Sequence, residues 1–368
     1  MRAFAFFRLP KESKCTLVVQ RSGEPERMAS PGELNGRSGF VVAPFSVSRL
    51  TPLLLIRPEE QHVYDEVSNV TGEIIAEVEK CAQRNNIGHT AYHHDESERE
   101  LYGRAFGTFH SRLMQGTFRK IVLARCHKAK GDTSNLFNLF RRACEEYPRM
   151  YVSLFSTNTG GTWLIATPEV LLEGDSCRWK TIALAGTMKP DDGVAQCTAD
   201  DAEYSPGLRS GISWNEKNIK EQRIVADYMK DCLDNFSDDV EEEGPLTARA
   251  GNLLHLRSDF AFSLRSNAVL GDLIDAIHPT PAVCGLPKSD SKEFIMTNEV
   301  FPRRYYSGFC GPLLGDCGTH LFVALRCMQV VNDGFLLYAG SGLLPDSTEQ
   351  QEWEETEAKL ETMKKIIS

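Results

Sequence analysis

The sequence predicts a mixed, strand-rich α/β domain, and three observations carry that expectation. Short runs rich in Val, Ile, Leu, Phe and Thr alternate with stretches of helical period along the whole chain. Two turns, Thr159-Gly160-Gly161 and Asn332-Asp333-Gly334, join adjacent runs as hairpins, which makes those neighbours antiparallel. No repeat, low-complexity segment or credible linker divides the 368 residues, and 41% of them are hydrophobic, enough for one large core. A single domain over residues 1–368 is expected.

From Met1 to about Thr90, AFAFFRLP, CTLVVQ and GFVVAPF read as strands between Gly-, Pro- and Ser-rich turns, and VTGEIIAEVEKCAQRN reads as a helix. The segment DESERELYGRAFGTFHSRLMQGTFRK spaces Leu101, Ala105, Phe109 and Leu113 at helical intervals behind an acidic start suited to a helix N-terminus. It leads into the strand KIVLARCHKAK, with Lys120 at the entrance. SNLFNLFRRACEEYP is the next helix, and MYVSLFSTN and TWLIATPEVLLEGD are strands. Pro168 cannot donate to a ladder, so the latter strand is interrupted where the Glu169 carboxylate emerges. TIALAGTMKP is a strand with the small-residue corner Ala185-Gly186-Thr187, where backbone can approach a ligand closely.

A polar loop, expected to be mobile, spans Asp191 to about Ser213. In the helix NEKNIKEQRIVADYMKDCLDNF, Val225, Tyr228 and Cys232 mark a stripe that takes in Glu221 one turn earlier and points its carboxylate inward. Such a residue pairs with an Arg, caps a neighbouring backbone or does chemistry. Two strands surround NLLHLRSDFAF, where His255 between leucines reads as a core residue. Residues Ile277 to Gly311 open with three prolines in HPTPAVCGLP; a stretch this rigid either joins two elements or lines a cavity. HLFVALRCMQVV reads as one strand with Arg326 in its middle, where a guanidinium requires an anion or a partner. GFLLYAGSGLLP reads as a strand ending in a bend at Gly340-Ser341-Gly342 with free N–H groups. The last helix, STEQQEWEETEAKLETMKKII, has a Ser347–Gln350 capping-box spacing and a core stripe of Trp353, Leu360, Met363 and Ile367. By periodicity alone, Glu352, Glu355 and Lys359 form a solvated flank.

The net charge of -10 and the lack of a basic run argue against nucleic acid or an anionic membrane as partner, since nothing would neutralise phosphates. A small anionic substrate remains compatible if local cations or a metal offset the field. No run approaches the roughly 20 apolar residues that cross a bilayer, and MRAFAFFRLPKESK is too short an apolar patch for a secretory signal, so a cytoplasmic location is expected. The eleven cysteines are odd in number and contain no CxxC or zinc spacing, which points to reduced thiols.

Between residues 116 and 367 stand, in order, KIVLAR, TWLIATPEVLL, ALAGT, KEQRIV, LLHL, HPTPAVCGLP, EVFPRRYYSG, LFVALRC and AGSGLLPDSTEQQEWEET. This ordered set resembles the chorismate-utilising enzymes, and among them most the isochorismate synthases; the first hundred residues match only loosely. The resemblance implies a single α/β domain with two large antiparallel β-sheets packed face to face, surrounded by helices and enclosing a deep cleft. It implies an isomerase that adds water at C2 of chorismate while the C4 hydroxyl leaves. Lys120 matches the general base on the water, a task that requires burial or nearby cations to release its proton. Glu169 matches the general acid for the departing oxygen, which needs an apolar or anionic setting to stay protonated near neutral pH. Glu221 and Glu355 match carboxylates that hold Mg2+, with Glu352 assisting through water, in keeping with the ion's preference for few carboxylates plus waters and a substrate oxygen. Arg326, Lys359 and the backbone of Gly340, Ser341 and Gly342 match contacts to substrate carboxylates. By the same resemblance His255, Ala185, Gly186 and Thr187 line the cavity, with Tyr306 and Arg303 nearby.

Differences among the relatives narrow the reading. Ala185 stands where one type of aminodeoxychorismate synthase has a nucleophilic lysine. Anthranilate synthases take ammonia from a glutaminase partner and lack a lysine at the position of Lys120, so water is the expected nucleophile and no glutaminase subunit is expected. Salicylate synthases keep the lysine and go on to eliminate pyruvate; they are the alternative. Ala282 resembles the isochorismate synthase pattern, whereas salicylate synthases tend to carry threonine near there. Gln222 departs from the histidine common in the family and leaves the local metal geometry open. A catalytically dead binding module is a further alternative, against which the complete set Lys120, Glu169, Glu221 and Glu355 speaks. The resemblance also implies a monomer; the residues do not set the pathway, and menaquinone synthesis is the expected destination of the product ahead of catechol siderophores or salicylate.

Overall fold

Two nine-stranded sheets, antiparallel in every pairing, organise the chain. The structure is a computed structural model and describes residues 1–86, 97–175, 177–189, 213–251, 253–265, 269–313 and 318–368. The first sheet runs β14 (Gly285–Leu286), β7 (Lys120–Ala129), β18 (Gly334–Leu343), β17 (Cys327–Val331), β9 (Gly161–Thr167), β8 (Tyr151–Thr157), β1 (Ala3–Arg8), β2 (Cys15–Gln20), β6 (Glu60–Tyr64). The second runs β12 (Glu241–Ala250), β13 (Leu253–Phe262), β11 (Trp179–Met188), β10 (Val170–Gly174), β16 (Thr319–Val323), β15 (Phe309–Leu313), β4 (Gly39–Ala43), β5 (Leu53–Ile56), β3 (Glu26–Met28). The strands within the first 64 residues thus complete both sheets. Three of them, β3, β5 and β6, were not evident from sequence pattern. β3 and β6 are edge strands with charged, partly exposed residues, which carry no strong apolar alternation.

Seven helices are described: α1 (Gly72–Arg84), α2 (Glu98–Met114), α3 (Leu136–Glu146), α4 (Glu216–Leu233), α5 (Leu270–Ile277), α6 (Lys288–Asn298) and α7 (Glu349–Ile367). Each covers an apolar sheet face. Helices α1, α3 and α7 pack on the outside of the first sheet through Val78, Phe140 and Leu360, and α4 and α5 on the outside of the second through Val225, Met229 and Ile274. Between the sheets lies an aromatic layer in which Tyr151 of β8 stacks on Phe322 of β16, ring centroids 4.1 Å apart. Such a pair is worth about 0.5–1.5 kcal/mol beyond its area. Coverage on both faces explains strands such as AFAFFR, buried at every position.

Helix α2 begins with a capping box in which the Ser97 side chain accepts from the Glu100 backbone N–H and the Glu100 carboxylate accepts from that of Ser97. The cap of α7 is shifted by one residue from expectation: Thr348 accepts from the Gln351 N–H, while the Ser347 hydroxyl accepts from the Leu344 N–H and ties down the preceding turn. The loop expected from Asp191 to Ser213 lies outside the described residues up to residue 212.

The clearest departure concerns HLFVALRCMQVV. It is two strands in different sheets, β16 and β17, and Arg326 sits in the crossing between them with φ of +42°. A charged side chain is thereby taken out of a ladder and placed at a corner. The Pro168-Glu169 break is the matching corner, because there the chain passes from β9 in the first sheet to β10 in the second.

Candidate active site

The two crossings run side by side. The Glu169 carbonyl accepts from the Val323 N–H at 2.9 Å, and the Arg326 carbonyl accepts from the Ala166 N–H at 3.0 Å. Both side chains line one small cavity, together with Lys359, His255, Glu221 and Tyr306. Its volume is about 40 Å3, well below the roughly 300–1,000 Å3 of sites for drug-sized ligands. A ring substrate requires the side chains around it to separate.

Glu169 is buried, and burial pushes its pKa up to about 7 against the opposing fields of Lys120, Arg326 and Lys359. It is therefore substantially protonated at neutral pH. Arg326 donates to His255 Nε2 at 3.2 Å, and His255 Nδ1 lies 3.2 Å from the Gly186 carbonyl. A carbonyl only accepts, so Nδ1 carries the proton and Nε2 receives the Arg326 hydrogen bond. Burial and the Arg326 and Lys359 charges hold the imidazole well below its usual range, hence neutral. The Arg326 Nε is buried without a hydrogen-bond partner. A guanidinium in this state has capacity left for an anion.

Lys120 is fully buried at the start of β7; it does not itself line the cavity, but its Cε lies close behind the wall residue Gly342. Its Nζ donates to the Pro281 carbonyl at 2.9 Å and pairs with Glu221 at 3.1 Å. The Pro-rich stretch thus serves the cavity as well as joining two elements, since Pro281 anchors the lysine and Ala282 lines the wall. Glu221 projects inward from α4 as its stripe predicts. Gly342 makes room for the pair: a Cβ there would stand 2.1 Å from Glu221 Oε1 and 2.8 Å from Lys120 Cε.

Gly340, Ser341 and Gly342 do not form a bend with free N–H groups. They lie within β18, paired with Ala124, Leu123 and Val122 of β7. Strand alternation puts Gly340 and Gly342 on the cavity wall and turns the Ser341 side chain away, where its hydroxyl is 3.2 Å from that of Tyr102. Ala185, Gly186 and Thr187 line the cavity, with Gly186 at φ +72° in a bulge of β11. Arg303 is not a cavity residue. It is buried with Glu299, donates to the Val122 and Val283 carbonyls, and braces β7 against the Pro-rich loop.

The flank of α7 is not solvated either. Glu352 is 0% exposed, Lys359 donates to Glu355 at 2.6 Å and to the Gly340 carbonyl at 2.7 Å, and Glu352 is paired with Lys217 of α4. Burial and the neighbouring Glu355 push Glu352 up to about 7, against Lys217. Among the described residues no three His, Cys, Asp or Glu side chains converge as a ready metal cage. The donor set nonetheless suits a hard cation that takes few carboxylates and several waters, because Glu352 Oε2 is buried without a partner and the charges of Glu221 and Glu355 both act on Lys217, the cation paired with Glu352. Gln222 points elsewhere, donating to Ser258 and the Ala183 carbonyl under α4, so the departure from histidine leaves these carboxylates untouched.

Sequence reasoning missed Lys217. The available signal was its place four residues before Glu221, which puts both on one helical face.

Three comparisons bear on this arrangement. The family model described as chorismate binding enzyme matches residues 47–368. The isochorismate synthase DhbC of Bacillus subtilis is 30% identical over 292 residues, 76% of this chain and 71% of that protein. The isochorismate synthase EntC of Escherichia coli is 29% identical over 252 residues, so the match spans 67% of this chain and 62% of that relative's length. Among solved structures, MenF, the menaquinone-specific isochorismate synthase from Escherichia coli, superposes with a TM-score of 0.73 over 100% of this chain and 89% of its own, at 21% identity. With a family match over most of its length and these two packed sheets, the chain belongs to the chorismate-binding enzymes.

Proposed function

We propose that the chain is an isochorismate synthase. The observation that carries this is the gathering, around one cavity, of a buried carboxylic acid with pKa about 7, a buried lysine, and an arginine with an unfilled donor. The named activities of DhbC and EntC support the same reading.

In the proposed reaction Lys120, acting as the free amine after losing its proton, takes a proton from water, whose oxygen bonds to C2 of the ring. The double bonds shift and the C4–O bond breaks. Glu169 donates its proton to the departing C4 oxygen, which leaves as water, and the atoms balance as an isomerisation. Arg326 and Lys359 hold the substrate carboxylates, and neutral His255 orients Arg326 through Nε2. Glu221 and Glu355, with Glu352 beside them, would hold Mg2+, which when bound neutralises the ring carboxylate. A glutaminase partner is not needed for water addition.

Incubation with chorismate and Mg2+, followed by chromatography with mass detection, tests the proposal, with Lys120→Ala and EDTA as controls. Isochorismate that disappears in both controls is expected. Salicylate with pyruvate would move the chain to the salicylate synthases, and binding without turnover would make it a binding module.

A further inference from the structure

The acidic cluster between α4 and α7 contains one cation with no task in the proposed reaction. Lys217 is the second residue of α4, so its ammonium sits in the first helical turn, where the helix dipole disfavours positive charge. Something else must hold it there. Its hydrogen-bond partner among the described residues is Glu352, and the charges of Glu221 and Glu355 also act on it. The other two lysines of the cluster have a second, backbone anchor: Lys120 on the Pro281 carbonyl and Lys359 on the Gly340 carbonyl. Among the described residues, Lys217 is held by carboxylates alone. Its side chain keeps 16% exposure, enough for a flexible stem to swing its head outward.

We propose that Lys217 is the resident counter-cation of the Glu221–Glu352–Glu355 cluster, which releases Glu352 when Mg2+ arrives and thereby sets the metal affinity. This rests on the reading of those carboxylates as the metal site. Glu355 has Lys359 and Glu221 has Lys120, but without Lys217 the buried Glu352 would remain uncompensated; with Lys217 in place the cluster is stable before metal binds. Metal binding must then exchange one cation for another. A lysine is suited to this exchange because its ammonium is a point charge with no fixed fork geometry.

The test is calorimetric titration of MgCl2 alone into the metal-free protein, without substrate, for wild type, Lys217→Met and Lys217→Arg. The Met variant keeps the length of the side chain and removes the charge. It is expected to bind Mg2+ about tenfold more tightly, or about 1.4 kcal/mol, and Lys217→Arg is expected within about threefold of wild type on the same scale. Melting curves give an independent readout: Lys217→Met melts lower than wild type without metal, and saturating Mg2+ closes the gap. Equal or weaker binding by Lys217→Met overturns the proposal, as does equal tightening by Lys217→Arg, which would make bulk rather than charge responsible. If wild type binds Mg2+ and Lys217→Met matches it, only the counter-cation role falls. If wild type binds no Mg2+, the metal reading falls with it.

Discussion

Replacing Glu169 with Gln separates two consequences of one buried acid. The carboxyl titrates at about 7 in the fold, against an ordinary value near 4.3 in an unfolded chain. A raised folded value means that the native state holds the proton more tightly. The associated stability is fully present below the unfolded value and is lost as pH rises through the folded one. At about 1.4 kcal/mol per pH unit, the loss amounts to about 4 kcal/mol. Gln has the same shape and no charge to bury. Wild type and Glu169→Gln should therefore differ in a pH-dependent way: wild type loses about 4 kcal/mol relative to the variant between roughly pH 4 and pH 8. Urea unfolding of both proteins across that range measures it. Turnover supplies the second consequence. Loss of a general acid costs about 10²–10⁴-fold in kcat, and the wild-type rate should fall on the alkaline side of pH 7 as the acid ionises. A stability difference constant with pH, or a variant with undiminished kcat, would refute the assignment of Glu169 as a protonated acid.

Other perturbations follow from the same geometry. Lys120→Ala should lower kcat by about 10²–10⁴-fold and, by leaving Glu221 buried without its lysine, destabilise the fold by about 3–5 kcal/mol; restoring most of that stability with Glu221→Gln, but none of the activity, checks the pairing. Gly342→Ala inserts a Cβ at 2.1 Å from Glu221 and should disrupt both Glu221 and Lys120, costing about 1–3 kcal/mol in melting experiments and a larger share of activity. Arg326→Gln should raise KM for chorismate at least about tenfold, consistent with loss of a charge-assisted contact. It should also move the alkaline limb of the pH profile upward, because the arginine's charge opposes the rise in the Glu169 pKa. EDTA should abolish turnover without lowering helical content by circular dichroism, because three lysines already compensate the carboxylates.

Much of the site was legible in the chain because local patterns decide orientation. Helical period aimed Glu221 inward, Pro168 broke a strand beside Glu169, and the rigidity of HPTPAVCGLP suited a loop that now holds Lys120. Local pattern does not decide what lies opposite. Lys120 meets Glu221 across 101 positions of sequence only because β7 and α4 are brought together from different sheets and layers. The strand reading of HLFVALRCMQVV failed for the same reason: apolar alternation continues through a corner, and only the change of sheet takes Arg326 out of the ladder. The flank of α7 reads as solvated because period alone assumes a single covered face, whereas α2 packs on a second one and Lys217 reaches across from α4 to pair with the buried Glu352. Sequence determined the elements and the direction of most site side chains, since those depend on neighbours three or four residues away. Tertiary structure decided the partners, and with them the protonation of Glu169 and the tautomer of His255, because burial and nearby charge belong to the packed fold.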